Sequence, residues 1–353
     1  MVIRSVTGYI GRPREWSRDE LRSLIEKSIS YVEEAARELS RKYSIFTKRL
    51  SLPQPPPSLY SRLVDIVSDI VPSNYLVSVG VYLLEKTSVQ NIVDIVSSGF
   101  YVGIVWNKIP DFSKVAEIFY RVASLKPVYA TRIAFSLDGA PIETPYFPLT
   151  TSLYGFGVGI SLLYPRYLAR VFNKRGLRGI RKALQSIDSE LLELLKPVKT
   201  RVAIDYSISP WMEDSVVDLI ESITGYTLSS PGFLYGVYIL NSILKEFTRA
   251  KPHTEGYNEV MLPYIEDSRL LDAGEKGAIR ARDFLLFSSV CVAGPDTIVL
   301  KYDRSGLVAY IKSAYSIAWA KRRHMALRII PVDDEPGSRI YIDRFGEATV
   351  LDY

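Results

Sequence analysis

The chain has 353 residues, 47% hydrophobic and 24% charged, the balance of an ordinary soluble globular protein with material for a large core. Its net charge of +5 is mild over this length and gathers into no stripe or tail, which argues against a nucleic-acid partner. No apolar run reaches a membrane-spanning length, and a single cysteine, Cys291, permits no internal disulfide, so a reducing, cytoplasmic setting is expected.

The first residues, Met1-Val2-Ile3-Arg4-Ser5-Val6, are interrupted by a charge and do not read as a signal peptide. Residues 2–10 read as a strand. A helix then opens at Ser17, with Glu20 three residues on as in a capping box, and runs along Leu21, Leu24, Ile25, Ile29, Val32 and Ala36 to about residue 42. Residues 44–52 form the second strand, Pro53 to Pro57 end it, and 58–70 read as a helix. Strands follow at 75–83 and 100–106, a helix at 110–124 and a strand at 132–137.

Residues 138–152 form a long irregular stretch rich in Pro and Thr. A loop of this length inside a compact domain is usually functional, and Pro145-Tyr146-Phe147-Pro148 within it reads either as a lid or as a rigid aromatic plug. Residues 154–163 return to strand, 178–195 are helical, and 201–210 form a buried strand whose C-terminal end turns polar, with Asp205, Ser207 and Ser209. Helices at 212–224 and 233–248 lead to a polar loop at 251–259 and a short strand at 260–265. A helix at 283–290, a strand at 297–302 and a helix at 307–323 precede closing strands at 327–332, 339–343 and 348–351. About ten core strands alternate with helices and no linker divides the chain, so one α/β domain over 1–353, a mostly parallel sheet or barrel, is expected.

Several chemistries have no residues to carry them. The chain has no Walker-type loop, no H-E-x-x-H and no G-x-S-x-G. Two histidines, His253 and His324, and one cysteine leave no His/Cys zinc set. The glycines of Gly155-Phe156-Gly157-Val158-Gly159 alternate within a strand instead of opening a helix, which reads as close backbone approach and not as a dinucleotide site. The basic runs 173–178 and 321–324 lie beside helical patterns and read as solvated helix ends. Scarce Met and Cys beside 24 Tyr are the composition of a thermophile protein, and an archaeal source is expected.

The C-terminal two fifths resembles an uncharacterised family, domain of unknown function 711 (uncharacterised protein family 0210). The resemblance rests on Ala203-Ile204-Asp205-Tyr206-Ser207-Ile208-Ser209-Pro210 with Asp214-Ser215-Val216, on Cys291-Val292-Ala293-Gly294-Pro295-Asp296, and on Ala326-Leu327-Arg328-Ile329-Ile330-Pro331. Upstream, Ile3-Arg4-Ser5-Val6-Thr7, Lys48-Arg49-Leu50-Ser51, Glu143-Thr144-Pro145-Tyr146-Phe147 and Gly157-Val158-Gly159-Ile160-Ser161 are collinear with it. The family's Gly-Gly-Leu-Ser-Gly loop is replaced by Gly256-Tyr257-Asn258-Glu259, and a following His-Gly is absent. The resemblance implies the ten-stranded α/β barrel of the pyruvate formate-lyase type. It does not imply that chemistry, because Phe345-Gly346-Glu347 reads as a β-turn and not as a glycyl-radical loop.

Ligands of α/β folds bind where strands end. Asp205 and Glu143 are therefore the candidate catalytic carboxylates, as general bases or as ligands to a hard cation, Mg²⁺ or Ca²⁺. Arg49, Arg132, Arg328, Ser207, Ser209 and Asp138 are the candidate substrate-binding residues, since a guanidinium grips a carboxylate or phosphate through two parallel hydrogen bonds. Arg132 and Arg328 fall inside expected strands, where a charge needs a partner, and Asp205, Asp138 and Glu143 are the obvious ones. The same residues also read as structural ion pairs at a rim. The sequence leaves open an enzyme acting on a small anionic metabolite and a non-catalytic binding or regulatory protein. A homodimer is weakly favoured, and neither nucleic acid nor membrane is an expected partner.

Overall fold

The structure, a computed structural model, describes every residue except Val292, so one residue of the Cys291–Asp296 motif lies outside the described residues. Its core is an eight-stranded mixed sheet in the order β7-β6-β1-β2-β3-β4-β5-β9. The strands are β1 (Val2–Tyr9), β2 (Ile45–Ser51), β3 (Tyr75–Leu83), β4 (Tyr101–Val105), β5 (Ile133–Ser136), β6 (Gly157–Leu163), β7 (Arg201–Asp205) and β9 (Ala326–Leu327). A parallel pair, β8 (Ile298–Lys301) with β10 (Ile329–Val332), and an antiparallel hairpin, β11 (Arg339–Ile342) with β12 (Gly346–Thr349), complete the strands.

Strand direction decides where the site falls. β1 to β5 run parallel, but β6 is antiparallel to β1, and β7 is parallel to β6. Asp205 at the end of β7 lies beside Ser161, which lies beside Ser5 near the start of β1. The sheet is mostly parallel, five of its seven pairings, but the reversal at β6 means that the end of β7 shares a side with the beginnings of β1 and β2.

Helices cover one face. α1 (Arg18–Leu39) packs on β1, β2 and α5 (Pro165–Leu195); α3 (Val89–Ser97) packs on α4 (Phe112–Leu125) beyond the short α2 (Leu63–Ser68). α6 (Val216–Thr224) sits between α5 and α7 (Phe233–Thr248). After α8 (Ser268–Glu275), α9 (Ala281–Ser288) packs on α10 (Arg304–Lys321), which also meets α4. Gly8 lets α1 approach β1 closely: a Cβ there would stand 2.4 Å from Ser28 Oγ and 2.7 Å from Val32 Cγ2 of α1.

The opposite face is lined by small polar side chains. Ser5, Thr7, Ser51, Ser78, Ser136 and Ser161 are fully buried. The loop 137–156 runs across them and meets Ser5, Ser51, Ser78 and Ser136 directly, while Thr7 and Ser161 bond to Ser5. Ser5 Oγ donates to the Pro145 carbonyl at 3.3 Å, Ser78 Oγ to the Thr150 carbonyl at 3.2 Å, and Ser51 Oγ lies 3.3 Å from Thr150 Oγ1. Tyr146 is buried within Pro145–Pro148, as the plug reading expects.

Several local expectations change. Ser17 caps α1 by accepting from the Glu20 N–H at 3.3 Å, but the Glu20 carboxylate accepts from the N–H groups of Arg14, Glu15 and Trp16, outside a capping box. α5 begins at Pro165, 13 residues before the expected start, and continues through a kink at Gly176 (φ 58°). Residues 260–265 pair with the chain through one bridge, Ile208 to Val260, and end in a 3₁₀ turn instead of a strand. α6 starts at Val216, because Ser215 Oγ caps it by accepting from the Asp218 N–H. The run 321–324 is tied down more than solvated: Lys321 Nζ donates to the carbonyls of Ser288 and Cys291 at 2.8 and 2.5 Å, and His324 Nδ1 lies 2.6 Å from Asp138.

Candidate functional site

A cleft opens where the starts of β1 to β5 face the segments that follow β7 and precede β8. It encloses about 100 Å³. At ~10–15 Å³ per water-sized sphere, that accommodates a ligand of roughly 7–10 non-hydrogen atoms. Four arginines, Arg4, Arg49, Arg328 and Arg344, line it beside two carboxylates, Glu266 and Asp296.

Arg4 enters from a β-bulge in β1. The register with β6 slips between Ile3 and Ser5, and the extra residue turns Arg4 towards the same side as Ser5. Arg4 pairs with Glu266 at 2.5 Å and also donates to the Pro210 carbonyl. Arg328, between β9 and β10, forms two hydrogen bonds to Asp296 and one to Glu266 at 3.0 Å. Burial raises Glu266, but the two guanidinium groups more than offset it and hold the carboxyl below its ordinary value. Asp296 is raised by burial, with the Glu266 charge adding to it and Arg328 opposing.

Arg49 is different. It projects from β2 and is 8% exposed. Its Nε donates to Thr47 Oγ1 at 2.9 Å and its Nη1 to the Pro145 carbonyl at 3.1 Å, while its Cζ lies 5.2 Å from the centre of the Phe147 ring. Among the described residues no carboxylate pairs with it. Burial, reinforced by the Arg4 charge, pushes its pKa down to about 10, so it is a charged guanidinium at neutral pH that lacks its counter-ion.

Ser209 completes the polar lining, and Tyr101, Phe147, Trp211 and Phe345 form apolar walls. Of the eight residues named from sequence, Arg49, Arg328 and Ser209 meet in this cleft. Asp205 does not line it. It is fully buried and accepts five hydrogen bonds, from the Ser207 N–H and Oγ (2.9 and 2.6 Å), Thr144 Oγ1 (3.2 Å) and the N–H groups of Tyr257 and Asn258 (2.9 and 3.0 Å). Burial nonetheless leaves it above its ordinary value. Asp205 thus pins loop 137–156 and the Tyr257 loop to the end of β7, and Ser207 passes the contact on by accepting from the Glu259 N–H at 3.2 Å.

The remaining three lie elsewhere, and none pairs as expected. Glu143 is held by Arg201 and by the N–H groups of Leu153 and Tyr154. Arg201 also grips Glu255, whose carboxyl is pushed up to about 7 by burial and the neighbouring Glu143 charge. Gly159 makes room there: a Cβ on it would stand 2.3 Å from Tyr9 Oη, the close approach expected of the alternating glycines. Asp138 pairs with His324 at a separate surface cleft beside Trp319. Arg132 belongs to the 3₁₀ turn before β5, not to the strand; it donates to the Val96 carbonyl and lies 5.0 Å over the Tyr129 ring. These partners are local because the mixed strand directions put the ends of β5 and β7 on different sides.

Arg4, Glu266 and Arg344 are the cleft residues that sequence reasoning passed over. Arg4 carried the same signal as Arg328, a charge inside a buried strand. Among the described residues no three His, Cys, Asp or Glu side chains come together as a metal-binding set. Among the described residues no helix is long and apolar enough to cross a membrane.

Residues 172–342 match the family model described as Uncharacterised ACR (DUF711). The chain is 23% identical to a UPF0210 protein of Sulfurisphaera tokodaii over 246 residues, covering 64% of this chain and 55% of that protein. It is 28% identical to a UPF0210 protein of Methanococcoides burtonii over 142 residues, 39% of this chain and 31% of the relative. With a UPF0210 protein of Thermoanaerobacter sp. it shares 27% over 141 residues, 38% and 30% of the two chains. The matched segments thus span about half or less of the relatives' length, and the relatives come from bacteria as well as archaea. These similarities support kinship with the DUF711/UPF0210 family, whose printed names carry no specific function. The matched segment supplies Ser209, Glu266, Asp296 and Arg328, while Arg4, Arg49 and Arg344 lie outside it.

Proposed function

We propose that the protein binds a small anionic metabolite in the arginine-lined cleft, and that this recognition is its primary function. One observation carries the proposal: Arg49 is a buried guanidinium with no carboxylate partner, directed into a cleft of ligand size. Burying an unpaired charge is expensive, and an anionic ligand is the partner that would offset it. The free fork suits a carboxylate or phosphate, and the Phe147 and Trp211 rings suit an apolar stem. We also infer that the strands close into the ten-stranded α/β barrel of the pyruvate formate-lyase type. The bridges Ile204–Thr254 and Ile208–Val260 and the Tyr264 N–H to Asp296 carbonyl bond support that closure, since they continue the sheet from β7 towards β8.

The test is thermal unfolding of wild type and Arg49→Met with small carboxylates and inorganic phosphate. A ligand at ~100 times its Kd stabilises the native state by about 2.7 kcal/mol. A Tm rise in wild type that is absent in the variant is expected. No rise with any anion in wild type overturns the proposal.

An enzyme acting on the same anion is the second reading. It is favoured by the opposite shifts of Asp296 and Glu266, raised and lowered within one buried cluster, which is the pattern of an acid–base pair. Asp296→Asn separates the readings. Under the enzymatic reading, conversion of a bound anion followed by NMR stops in this variant while its affinity holds. Under the binding reading, neither protein converts it.

A further inference from the structure

Four arginines line the cleft, Arg4, Arg49, Arg328 and Arg344, against two carboxylates, Glu266 and Asp296. The carboxylates are already distributed. Arg4 is paired with Glu266, and Arg328 with both Asp296 and Glu266. Two positive charges are left over, and they sit at different depths: Arg49 is buried, whereas Arg344 is exposed at the tip of the β11–β12 hairpin. Among the described residues no carboxylate pairs with Arg344.

The position of Arg344 is fixed by its neighbours. Its own backbone is left-handed at φ 73°, a region a non-glycine residue adopts at some expense. On one side Asp343 pairs with Lys126. On the other, the Phe345 ring lies 5.7 Å from Trp211, which lies 5.1 Å from Phe46 at the edge of the same cleft. The hairpin tip is thus anchored at both flanks while the charge between them is left unpaired over the mouth.

Resting on the anion-binding reading, we infer that the ligand is a short dicarboxylate, with one carboxylate on Arg49 at the floor and the other on Arg344 at the mouth. Two separated unpaired guanidinium groups call for two separated acidic groups, not for one doubly charged one. The enclosed space of about 100 Å³ limits the length to a few carbons, and the rings of Phe147 and Trp211 face the stem between the ends. Arg344 is then a specificity-determining residue: it selects dianions over monoanions of equal length.

The experiment titrates wild type, Arg49→Met and Arg344→Gln by calorimetry with malonate, succinate and glutarate, with propionate, butyrate and valerate, and with inorganic phosphate. In wild type one dicarboxylate should bind ~5- to 10-fold more tightly than the monocarboxylate of its length, the range of an ion pair between exposed and partly desolvated. Arg344→Gln should bring that dicarboxylate down to the monocarboxylate level and leave monocarboxylate affinity unchanged. Arg49→Met should abolish both. Equal affinity for mono- and dicarboxylates, or no effect of Arg344→Gln, overturns the inference and leaves the anion-binding reading standing. Phosphate binding above every dicarboxylate overturns the two-group assignment. Absence of binding by every anion in wild type removes the underlying reading as well.

Discussion

Replacing Arg49 by Met should leave the ligand-free protein as stable as wild type or slightly more so. Met keeps the unbranched stem and removes the charge. The native pKa of about 10 against an ordinary 12.5 measures the expense of burying that charge without a counter-ion. At 1.36 kcal/mol per pKa unit this is ~3 kcal/mol of penalty. Against it stand two hydrogen bonds, to Thr47 Oγ1 and the Pro145 carbonyl, and the contact with the Phe147 ring. Allowing ~0.5–1 kcal/mol for each, the losses come to ~2 kcal/mol, and the net gain is ~1 kcal/mol. At an unfolding entropy of ~2.1 cal/mol/K per residue, 353 residues convert 1 kcal/mol into a Tm change of about 1.4 °C. Calorimetric unfolding at pH 7 without anions should therefore place the variant between wild type and ~2 °C above it. A fall of more than ~3 °C would mean that the guanidinium supports the fold and is not held in wait for a ligand, and the functional argument would lose its basis.

Asp205 should behave in the opposite way. Asp205→Ala strands the fixed N–H groups of Ser207, Tyr257 and Asn258, which at ~1–3 kcal/mol each, less the relief of a buried charge, amounts to ~3–5 kcal/mol, and Asp205→Asn should lose about half as much. Urea unfolding measures both; unchanged midpoints with abolished ligand binding would restore Asp205 as a functional carboxylate. Gly159→Ala drives a methyl group towards Tyr9 Oη and should destabilise by ~1–3 kcal/mol in the same assay, and a neutral result would show that the Tyr9 and Arg201 side chains are free to move aside. For Glu255, the folded carboxyl titrates at about 7 against an ordinary 4.5, so between these values the native state holds a proton that the unfolded chain has released. The stability it contributes is complete below about pH 4.5 and is lost as the pH rises through about 7. The stability difference between wild type and Glu255→Gln should accordingly change between about pH 4.5 and 7; a constant difference would show that Glu255 is ionised throughout.

Much of the framework is legible because local chemistry and tertiary structure agree. Ser17 precedes a helix in the sequence and accepts from the Glu20 N–H of its first turn. Strands β1, β3 and β7 follow apolar runs bounded by polar residues. The failures share one cause, which is that chain direction is not written in periodicity. A rule built on parallel sheets puts every strand end on one side, and it grouped Asp138, Glu143 and Asp205. In the mixed sheet those three serve separate networks, and the start of β1 faces the end of β7 instead. Arg4 carried the signal of a charge in a buried strand, but the β-bulge that turns it into the cleft is signalled by no composition rule.

The arrangement of charges also separates what holds the fold from what waits for a ligand. In this protein most buried ionisable groups are answered: Glu143 by Arg201, Asp188 by Lys251 and His253, Glu266 by Arg4 and Arg328, and Asp205 by five donors. Such saturation is what a low-dielectric interior demands, and it makes these residues weak candidates for chemistry however prominent they are in the sequence. Arg49 departs from that pattern within the same interior. The departure persists because β2 fixes its backbone, while Thr47 and the plug loop hold the guanidinium from one side and leave the other towards the cleft. Residues that break the satisfaction rule while their surroundings keep it are where function is to be sought, and in this cleft the break has a sign: a missing negative charge.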